Sequence, residues 1–395
     1  MKPLENITVL DMSRVLAGPY CTMILRELGA RVIKVEHPKT GDDSRCYGPF
    51  KNEKSVYFLS INREKESITV DLKKPEGIEI IKKLAKKSDV LVENFRPGTM
   101  EKLGLGFDTL KELNPKLIFA SLSGFGQTGP WAQKPAYDMI VQALGGIMSI
   151  TGWPDSPPTR VGMSIGDIVV AIFASTGITS ALYQRTITGK GQKIDVSMLD
   201  CQFAILENAF IRYLIEGVSP EPLGTRHPTI TPFQAFKTKD SYLIVAIGND
   251  KLWEIFCSAL NLDKLKDSPK FKTNKLRCEN YAELGPIMDK IFIGKTVIEW
   301  ETLLNKHAIP NAKIAKMEDV AKNIQLIERN MFVEVDDPVI GKVKVAGNPI
   351  KMETLPDTSK RDKAPELGEH TQSILEEFLG YDYNEIAKFK KDGVI

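Results

Sequence analysis

The sequence predicts an α/β protein built around a doubly wound sheet. Short apolar runs of strand length alternate with helical patterns through the first two hundred residues. The order strand, helix, strand repeats along this part of the chain, which implies parallel pairing through right-handed crossovers. With 395 residues the chain is also long enough to bury a sizeable core and to form two or three domains.

Apolar runs predict five strands in the first part of the chain, and helical spacing predicts the longer segments between them. The predicted strands are residues 7–13, 31–36, 67–72, 89–95 and 116–124. The predicted helices are residues 18–30, 75–88 and 106–115. We expect Asp108 to cap the third helix, because its carboxylate can accept hydrogen bonds from the free amides of the first turn.

The later part of the chain has a different character. The segment 205–240 changes character: its stretch LIEGVSPEPLGTRHPTITPFQAF (214–236) is rich in proline and shows no helical period, which indicates a linker into another unit. The alternation over 233–250 predicts a hairpin with its turn near Lys239 and Asp240. A helix, a second antiparallel pair and a final helix are predicted after it, at residues 251–261, 331–352 and 367–380.

Charge and composition exclude several classes of protein. A net charge of +2, from 53 basic and 51 acidic residues, gives no electrostatic case for nucleic acid or a membrane surface as a partner. The amino terminus does not resemble a secretory signal, and the apolar run at 168–174 is too short to span a bilayer. Five cysteines without a C-x-x-C pair indicate reduced thiols in a cytoplasmic protein, and four dispersed histidines predict no metal site.

The doubly wound pattern raises the question of a dinucleotide. Glu36 ends the second predicted strand, where a ribose-binding acid would lie in that architecture. The turn after the first strand, however, reads SRVLAGPY and lacks the glycines of G-x-G-x-x-G. Without them the backbone cannot approach a pyrophosphate closely, so a nicotinamide enzyme is not favoured.

Two nucleophiles lie within four residues in the stretch TRVGMSIGDIVVAIFASTG, at 159–177. Ser164 fits the G-x-S-x-G pattern of a hydrolase, but the segment before it is proline-rich and polar, not a buried strand. Asp167 precedes an apolar helix, so local physics predicts an N-cap that backbone amides keep ionised. Gly166 beside it would admit a bulky ligand, and such a carboxylate could also attack an activated acyl group.

Several segments, in this order and spacing, resemble the class III coenzyme A transferases, which include formyl-CoA transferase, carnitine-CoA transferase and the α-methylacyl-CoA racemases. These segments are residues 9–45, ENFRPGTMEKLGL (93–105), SLSGFGQTGPW (121–131), PAYDMIVQALGG (135–146), VGMSIGDIV (161–169), 188–200 and 232–240. The resemblance implies a Rossmann-like large domain, a smaller α+β domain and an interlocked homodimer. The expected division is residues 1–216 in the large domain, 217–330 in a linker and the small domain, and 331–395 back in the large domain.

The resemblance also implies the site. Asp167 matches the catalytic carboxylate, and CoA and acyl-CoA are substrates, with no permanently bound cofactor or metal. The positions that match CoA-binding residues are Ala17, His37, Leu72, Lys73, Asn94, Phe95, Arg96, Lys102, Tyr137 and Asp138. Taken singly, Leu72 and Phe95 are more typical of core packing than of CoA binding. His37 stands where formyl-CoA transferase has arginine, and Leu16 and Pro135 replace a glutamine and a lysine, so formate and oxalate are not the expected acids.

Tyr137 distinguishes the branches of the family. The racemases move a proton between an aspartate and the histidine of a G-H-D triplet, whereas this chain reads Ala136-Tyr137-Asp138. Tyrosine is a poor base at neutral pH, so a transferase is favoured and a racemase stays the alternative.

The sequence also carries an expectation about the two acids. The pattern suggests succinyl-CoA or another dicarboxyl-CoA as donor and a small carboxylic acid as acceptor, with a basic side chain holding the second carboxylate. The candidates near the pocket are Arg14, Arg45, Tyr47 and Arg160. Oxyanion donors are expected from residues 248–250 or from backbone amides near Gly166.

Overall fold

The computed structural model describes residues 1–395 and groups them into two compact units. The first unit contains Met1–Met148, Arg160–Ile211 and Ile324–Ile395, and the second contains Ser149–Thr159 and Arg212–Asn323. The expected division had residues 149–159 in the large domain and the return to it at 331. The structure instead assigns 149–159 to the second unit and begins the return at Ile324. That the two units are separate domains stays a prediction.

Most strands lie in one large sheet and two small ones. In chain order they are β1 (Thr8–Asp11), β2 (Arg31–Glu36), β3 (Phe50–Lys51), β4 (Lys54–Ser55), β5 (Glu66–Thr69), β6 (Val90–Glu93), β7 (Ile118–Ser123), β8 (Lys193–Ser197), β9 (Phe233–Lys237), β10 (Tyr242–Ala246), β11 (Asn311–Lys313), β12 (Phe332–Asp337), β13 (Gly341–Ala346) and β14 (Lys360–Arg361).

The helices connect and cover these strands. They are α1 (Ala17–Glu27), α2 (Val56–Asn62), α3 (Pro75–Lys87), α4 (Thr99–Lys102), α5 (Phe107–Leu113), α6 (Asp138–Leu144), α7 (Ile165–Thr188), α8 (Met198–Ala204), α9 (Asn208–Glu216), α10 (Asp250–Ala259), α11 (Asp263–Lys266), α12 (Asn274–Glu279), α13 (Tyr281–Phe292), α14 (Val297–Lys306), α15 (Met317–Val320), α16 (Ile324–Glu328), α17 (Thr371–Ser373) and α18 (Tyr383–Lys391).

The first unit is built on a six-stranded parallel sheet in the order β5-β2-β1-β6-β7-β8. The α/β fold class with a large parallel sheet is therefore confirmed. The five predicted strands are all present, and β8 is an additional strand that the apolar pattern missed because its sequence, KIDVS, is half polar. The winding direction reverses between β1 and β6, and ligands of such sheets bind at the carboxyl ends of the strands near this point.

Helices cover both faces of this sheet. On one face, α3 begins with Pro75 at its first position and buries Ile80, Ile81 and Leu84 while its lysines point outward. On the other face, α1, α7 and α8 pack against β1, β6 and β7. The sheet is thus buried on both sides, which leaves its carboxyl edge as the accessible place for a ligand.

Helix α7 is long and apolar, and Asp167 lies in its first turn. By length and composition alone it is long enough to cross a membrane, and 44% of its apolar stretch is buried within the protein. The expectation of no such segment considered only residues 168–174 and undercounted the small residues that extend the helix. Val170, Ala174 and Ile178 are buried in the core, whereas Tyr183 and Ile187 are exposed.

The second unit has its own core. Its sheet has the order β11-β10-β9, and the antiparallel pairing of Tyr242 with Lys237 confirms the predicted hairpin. The helix predicted next is α10, which Asn249 caps through its side chain. The core holds Trp253, Phe256 and Phe292 among other apolar side chains.

The carboxyl-terminal part agrees with one prediction and departs from another. The antiparallel pair over 331–352 is confirmed by β12 and β13. The final predicted helix is instead the short α17 followed by a π-helical turn at Ile374–Phe378, and α18 was not predicted. In the amino-terminal part, Asp108 does not cap α5: the cap is Gly106, since the helix starts at Phe107, one residue before the aspartate.

Candidate active site

Two neighbouring clefts open at the carboxyl edge of the parallel sheet. The Asp167 cleft lies beyond β1, β6 and β7 and has a volume of about 280 Å³. The His37 cleft lies beyond β1, β2, β5 and β6 and has a volume of about 350 Å³. Arg14, Asp43 and Phe95 line both clefts, so the two adjoin. Their position agrees with the place where open α/β sheets bind ligands.

The clefts gather most of the residues that the sequence singled out. In the Asp167 cleft these are Ala17, Asn94, Phe95, Arg96, Tyr137 and Asp167. In the His37 cleft they are His37, Leu72, Lys73 and Phe95. Two of the ten expected CoA-binding residues line neither cleft: Lys102 is exposed at the end of α4, and Asp138 is buried at the start of α6.

Asp167 is the third residue of α7 and not its cap. The cap is Ser164, and no side chain makes a capping hydrogen bond at this helix start. Burial, and after it the negative charge of Asp138, raise the pKa of Asp167 to about 7. The interpretation of Asp167 as a cap held ionised by amides was therefore wrong. Its carboxyl group is desolvated and close to half-ionised at neutral pH.

Asp138 and Gln142 lie beneath the start of α7. Asp138 Oδ1 accepts a hydrogen bond from the Gly166 amide at 2.8 Å, and its Oδ2 accepts one from Gln142 Nε2 at 2.8 Å. Gln142 Oε1 in turn accepts from the Val161 amide at 2.9 Å. Because the Gly166 amide already has an acceptor, it is not a free oxyanion donor.

Ser164 lacks the surroundings of a hydrolase nucleophile. No strand leads into it, since residues 157–163 form no regular structure. His37 Nδ1 accepts a hydrogen bond from the Lys39 amide, and His370 Nδ1 accepts one from the Ser67 amide, so neither is bonded to Ser164 through this atom. No histidine lines the cleft that contains Asp167. The G-x-S-x-G match therefore describes a tight loop before a helix, not a nucleophile elbow.

The loop after β1 is held in an unusual backbone conformation. Val15 has a φ of 68°, which is the left-handed region that a β-branched residue rarely adopts. Its amide donates to both carboxylate oxygens of Asp42, at 3.1 and 3.2 Å. Asn94 fixes the residue before it, since its side chain accepts from the Arg14 amide and donates to the Arg14 carbonyl, both at 2.9 Å. Surrounding groups thus impose the path of this loop along the Asp167 cleft.

Buried ion pairs support the floor of the His37 cleft. Lys34 Nζ lies 2.7 Å from Asp42, and Lys65 Nζ lies 3.0 Å from Asp11, with all four side chains almost completely buried. Burial alone would raise the pKa of Asp42, but Lys34 and the hydrogen bonds from Ser44 lower it to about 2. The pKa of Asp11 is likewise lowered by the two lysines against the effect of burial. The paired lysines thus stabilise the ionised form of both carboxylates.

Glu36 cannot serve as a ribose ligand. Arg45 donates to both of its oxygens at 2.7 Å, Ser67 Oγ donates at 2.7 Å, and the Asp42 amide donates at 3.0 Å. The Arg45 guanidinium also lies over the Phe58 ring, 3.7 Å from its centroid. The four acceptor sites of Glu36 are therefore occupied, which excludes it as a ribose acid. Arg45 is held by Glu36 and lines neither cleft, so it is not placed to clamp a second carboxylate.

Arg14 is the best placed of the expected substrate cations. Its single ion-pair partner is Asp43 at 3.5 Å, and more than half of its side chain is exposed to solvent in the Asp167 cleft. Arg160 instead donates to the carbonyls of Val161 and Gly162 and lines neither cleft. Lys134, which the sequence did not single out, lines the Asp167 cleft with its ammonium 4.0 Å from the centre of the Trp131 ring.

Aromatic and imidazole groups complete the two clefts. Burial, followed by the charge of Asp167, raises the pKa of Tyr57 to about 12, and the Tyr57 and Tyr47 rings are 6.1 Å apart. Sequence reasoning missed Tyr57 because it lies in α2, which no pattern predicted. His37 Nδ1 accepts from the Lys39 amide at 3.2 Å, which assigns the proton of the neutral ring to Nε2 and leaves a donor for the cleft.

Residues 248–250, the other expected source of oxyanion donors, have local roles in the second unit. Asn249 caps α10, and Asp250 Oδ1 accepts from the Asn274 amide and from Arg277. No group of three or more possible metal-ligating side chains is found in residues 1–395. Neither observation supplies a donor or an ion to the clefts.

Similarity to known proteins extends over nearly the whole chain. A family model described as CoA-transferase family III matches residues 4–371. The chain is 42% identical over 396 residues to the succinyl-CoA:glutarate CoA-transferase of Mus musculus, covering 100% of this chain and 91% of that protein. It is 41% identical over 377 residues to the acetyl-CoA:oxalate CoA-transferase of Acetobacter aceti, covering 95% and 96%.

Solved structures agree with the sequence relatives. A CAIB/BAIF family protein from Brucella suis, 36% identical, superposes with a TM-score of 0.82 and covers 95% of this chain and 99% of that chain. The mouse and Acetobacter proteins are almost equally similar to this chain, yet they are named for different acids. Overall identity therefore does not select an acid, and the side chains in the clefts must be considered.

Proposed function

The chain belongs to CoA-transferase family III and is a CoA-transferase, and we propose that Asp167 carries the transfer from a dicarboxylic acyl-CoA donor to a carboxylic acid acceptor. The observation that supports this assignment is the position and environment of one carboxyl group. Asp167 lies at the helix start beside an open cleft, and burial raises its pKa to about 7. A carboxylate that is more basic than usual is also a stronger nucleophile, provided that it is ionised.

The proposed reaction proceeds by two exchanges of acyl groups. A carboxylate oxygen of Asp167 attacks the thioester carbonyl, the carbon–sulfur bond breaks, and CoA leaves as the thiolate. The thiolate then attacks the aspartyl carbonyl of the mixed anhydride, which releases the donor acid as a carboxylate and leaves an aspartyl-CoA thioester. The acceptor carboxylate reverses both steps and leaves as its CoA thioester. One thioester replaces another, so the sequence needs no external energy source.

We assign the CoA nucleotide to the His37 cleft and the acyl end to the Asp167 cleft. His37 Nε2 and the Lys73 ammonium are donors suited to phosphate, and Leu72 and Phe95 give an apolar wall. Arg96 and Asn94 lie on the side where the two clefts adjoin. Lys102, exposed on α4, remains a proposed phosphate contact outside both clefts.

Arg14 is the proposed ligand of the second carboxylate. It lines the same cleft as Asp167 and has only a long ion pair with Asp43, so its guanidinium is free to form a bidentate pair with a ligand. Tyr47 lines the cleft as well and offers a hydroxyl. This arrangement favours donors such as succinyl-CoA over donors with a single carboxyl group.

We also propose that the enzyme is a homodimer. The first unit exposes apolar side chains on α6 and α7 that no part of this chain covers. They are Met139, Ile140, Leu144, Ile172, Phe173, Tyr183 and Ile187. An apolar surface of this kind at the helix that carries Asp167 fits a second copy of the chain near the active site.

The racemase alternative lacks its second base. Such an enzyme needs a group that accepts a proton at neutral pH on the side of the substrate opposite Asp167. The Asp167 cleft contains no histidine, and Tyr137 in the triplet position is 79% exposed.

Substitution of Arg14 tests the dicarboxylate assignment. We expect Arg14→Met to lower kcat/KM for succinyl-CoA by about 10- to 100-fold, since a bidentate charge-assisted pair is lost. Activity with a monocarboxylic donor such as acetyl-CoA should change by less than about threefold. Arg160→Met is the matched control, because Arg160 lines neither cleft, and it should behave as wild type. Equal losses with both donors in Arg14→Met would contradict the assignment.

A further inference from the structure

We propose that Asp138 is a positioning residue for Asp167 and does not contact CoA. Its buried carboxylate holds Asp167 in place through the first turn of α7. This inference rests on the proposed function of Asp167. It replaces the expectation, taken from the family resemblance, that Asp138 binds CoA. Four observations on the structure lead to it.

The first observation is that both oxygens of Asp138 already have protein partners. Asp138 is 9% exposed, and its oxygens accept hydrogen bonds from the Gly166 amide and from Gln142 Nε2, each at 2.8 Å. The remaining acceptor sites of this carboxylate are almost closed off from a ligand, because the side chain is buried. The side chain also lines neither cleft, whereas its neighbour Tyr137 lines the Asp167 cleft.

The second observation concerns which backbone groups are held. Gly166 is the residue immediately before Asp167, so the bond to Asp138 fixes the peptide from which the nucleophile extends. Gln142, one turn further along α6, holds the Val161 amide at 2.9 Å. Together the two side chains tie α6 to both ends of the loop that leads into α7.

The third observation is the tight fit around Gly166. A Cβ at this position would lie 2.9 Å from Val141 Cγ2 and 3.1 Å from Asp138 Oδ1. Only glycine lets the first turn of α7 approach α6 closely enough for the hydrogen bond to form. The glycine is therefore explained by contact with Asp138 as well as by access for a thioester.

The fourth observation is electrostatic. The charged and titratable groups that line the cleft with Asp167 are Arg14, Asp43, Tyr47, Arg96, Lys134 and Tyr137, and Tyr57 lies close behind. Of these groups and Asp138, only Asp138 shifts the pKa of Asp167. Its negative charge adds to the effect of burial in raising that pKa. A buried negative charge beside the nucleophile keeps that nucleophile basic.

The test uses Asp138→Asn in the full-length enzyme with saturating succinyl-CoA. The quantity measured is the rate at which Asp167 is first modified, followed by peptide mass spectrometry, from about pH 5.5 to about pH 9. Removal of the charge should move the midpoint of the acid limb to lower pH by about 0.5 to 1 unit. The rate at high pH should fall about tenfold, because the hydrogen bond to the Gly166 amide loses its charge. KM for succinyl-CoA should stay within about twofold of wild type.

Other outcomes would overturn the inference. A tenfold rise in KM with an unchanged midpoint would identify Asp138 as a CoA contact, and no change in either quantity would leave it no role. If Asp138→Asn does not fold, Gly166→Ala tests the same contact, and a wild-type rate in that variant would contradict the proposal. Failure of the proposed function looks different, since wild-type enzyme itself would then carry no acyl group on Asp167.

Discussion

Two clusters of buried carboxylates lie at the carboxyl edge of one sheet, and they differ in their pairing with cations and in the direction of their pKa shifts. Beneath the His37 cleft, Asp11 and Asp42 are each paired with a buried lysine, and their pKa values are lowered. At the start of α7, Asp138 and Asp167 lie together without a cation hydrogen-bonded to either, and the pKa of Asp167 is raised to about 7.

The contrast separates the ion-paired carboxylates from Asp167, the carboxylate that we propose as the nucleophile. A paired carboxylate is a weak base, and its removal leaves a buried cation without a partner. An unpaired carboxylate in a desolvated place is costly to ionise but is a better nucleophile. Val15 connects the two clusters, since Asp42 holds its amide while its side chain lines the Asp167 cleft. The ion-paired cluster thus supports a wall of the cleft that contains Asp167.

The largest expected effect on stability is in the paired cluster. Asp42→Asn should lower the free energy of unfolding at pH 7 by about 3–5 kcal/mol, because Lys34 stays buried without its partner. The measurement is chemical denaturation followed by circular dichroism. Asp43→Asn is the control, since that exposed side chain has only a 3.5 Å pair with Arg14, and it should cost less than about 1 kcal/mol. Equal losses in the two variants would remove the distinction.

In the unpaired cluster, substitution of Asp167 should increase the free energy of unfolding relative to wild type as the pH rises, whereas Asp42→Asn lowers it. Folding raises the pKa of Asp167 from 3.8 to about 7, so the stabilisation from its bound proton is complete below about pH 4 and is lost as the pH rises through about 7. Asp167→Asn has no such loss. Its free energy of unfolding relative to wild type should increase by about 2–4 kcal/mol between about pH 4 and about pH 8. A difference that does not vary with pH would show that Asp167 is not destabilised in the folded protein.

The smallest effect concerns the residue that connects the clusters. In ordinary backbone conformations glycine is less stabilising than alanine, but at a φ of 68° the order reverses. We expect Val15→Gly to be more stable than Val15→Ala by about 1 kcal/mol, measured by thermal unfolding of the two variants side by side. Alanine as the more stable variant would mean that the left-handed conformation at Val15 carries no strain.

The sequence predicted the sheet better than it predicted the chemistry of the site. The apolar runs of β1, β2, β5, β6 and β7 identify themselves by length and composition, whereas β8 and α2 carry mixed patterns and were missed. Strand order then brings Asn94, Phe95 and Leu72 to one edge without any further information. Local spacing of apolar residues predicts the course of the backbone but not the groups that surround each side chain.

The environment of Asp167 shows what local spacing lacks. An aspartate before an apolar helix is usually a cap, and nothing between residues 159 and 177 indicates otherwise. Its actual surroundings come from Asp138, which is 29 residues earlier in the chain and reaches α7 only through tertiary packing. Arg45 is a second example. The sequence made it a candidate substrate ligand, but in the structure it forms an ion pair with Glu36.

The most direct test of this contrast is the pH dependence of acyl transfer to Asp167. Wild-type enzyme mixed with succinyl-CoA, quenched at short times and digested, should carry the succinyl group as an anhydride or CoA as a thioester on the peptide that contains Asp167. Either adduct should yield the aspartyl hydroxamate with hydroxylamine. The rate of labelling should rise with pH through a single midpoint near 7, where the raised pKa of Asp167 places its ionisation. Ser164→Ala should be labelled as wild type, and Asp167→Asn should not be labelled. Label on Ser164, or a rate independent of pH between about 5.5 and about 8, would contradict the assignment of Asp167 as a nucleophile with a raised pKa.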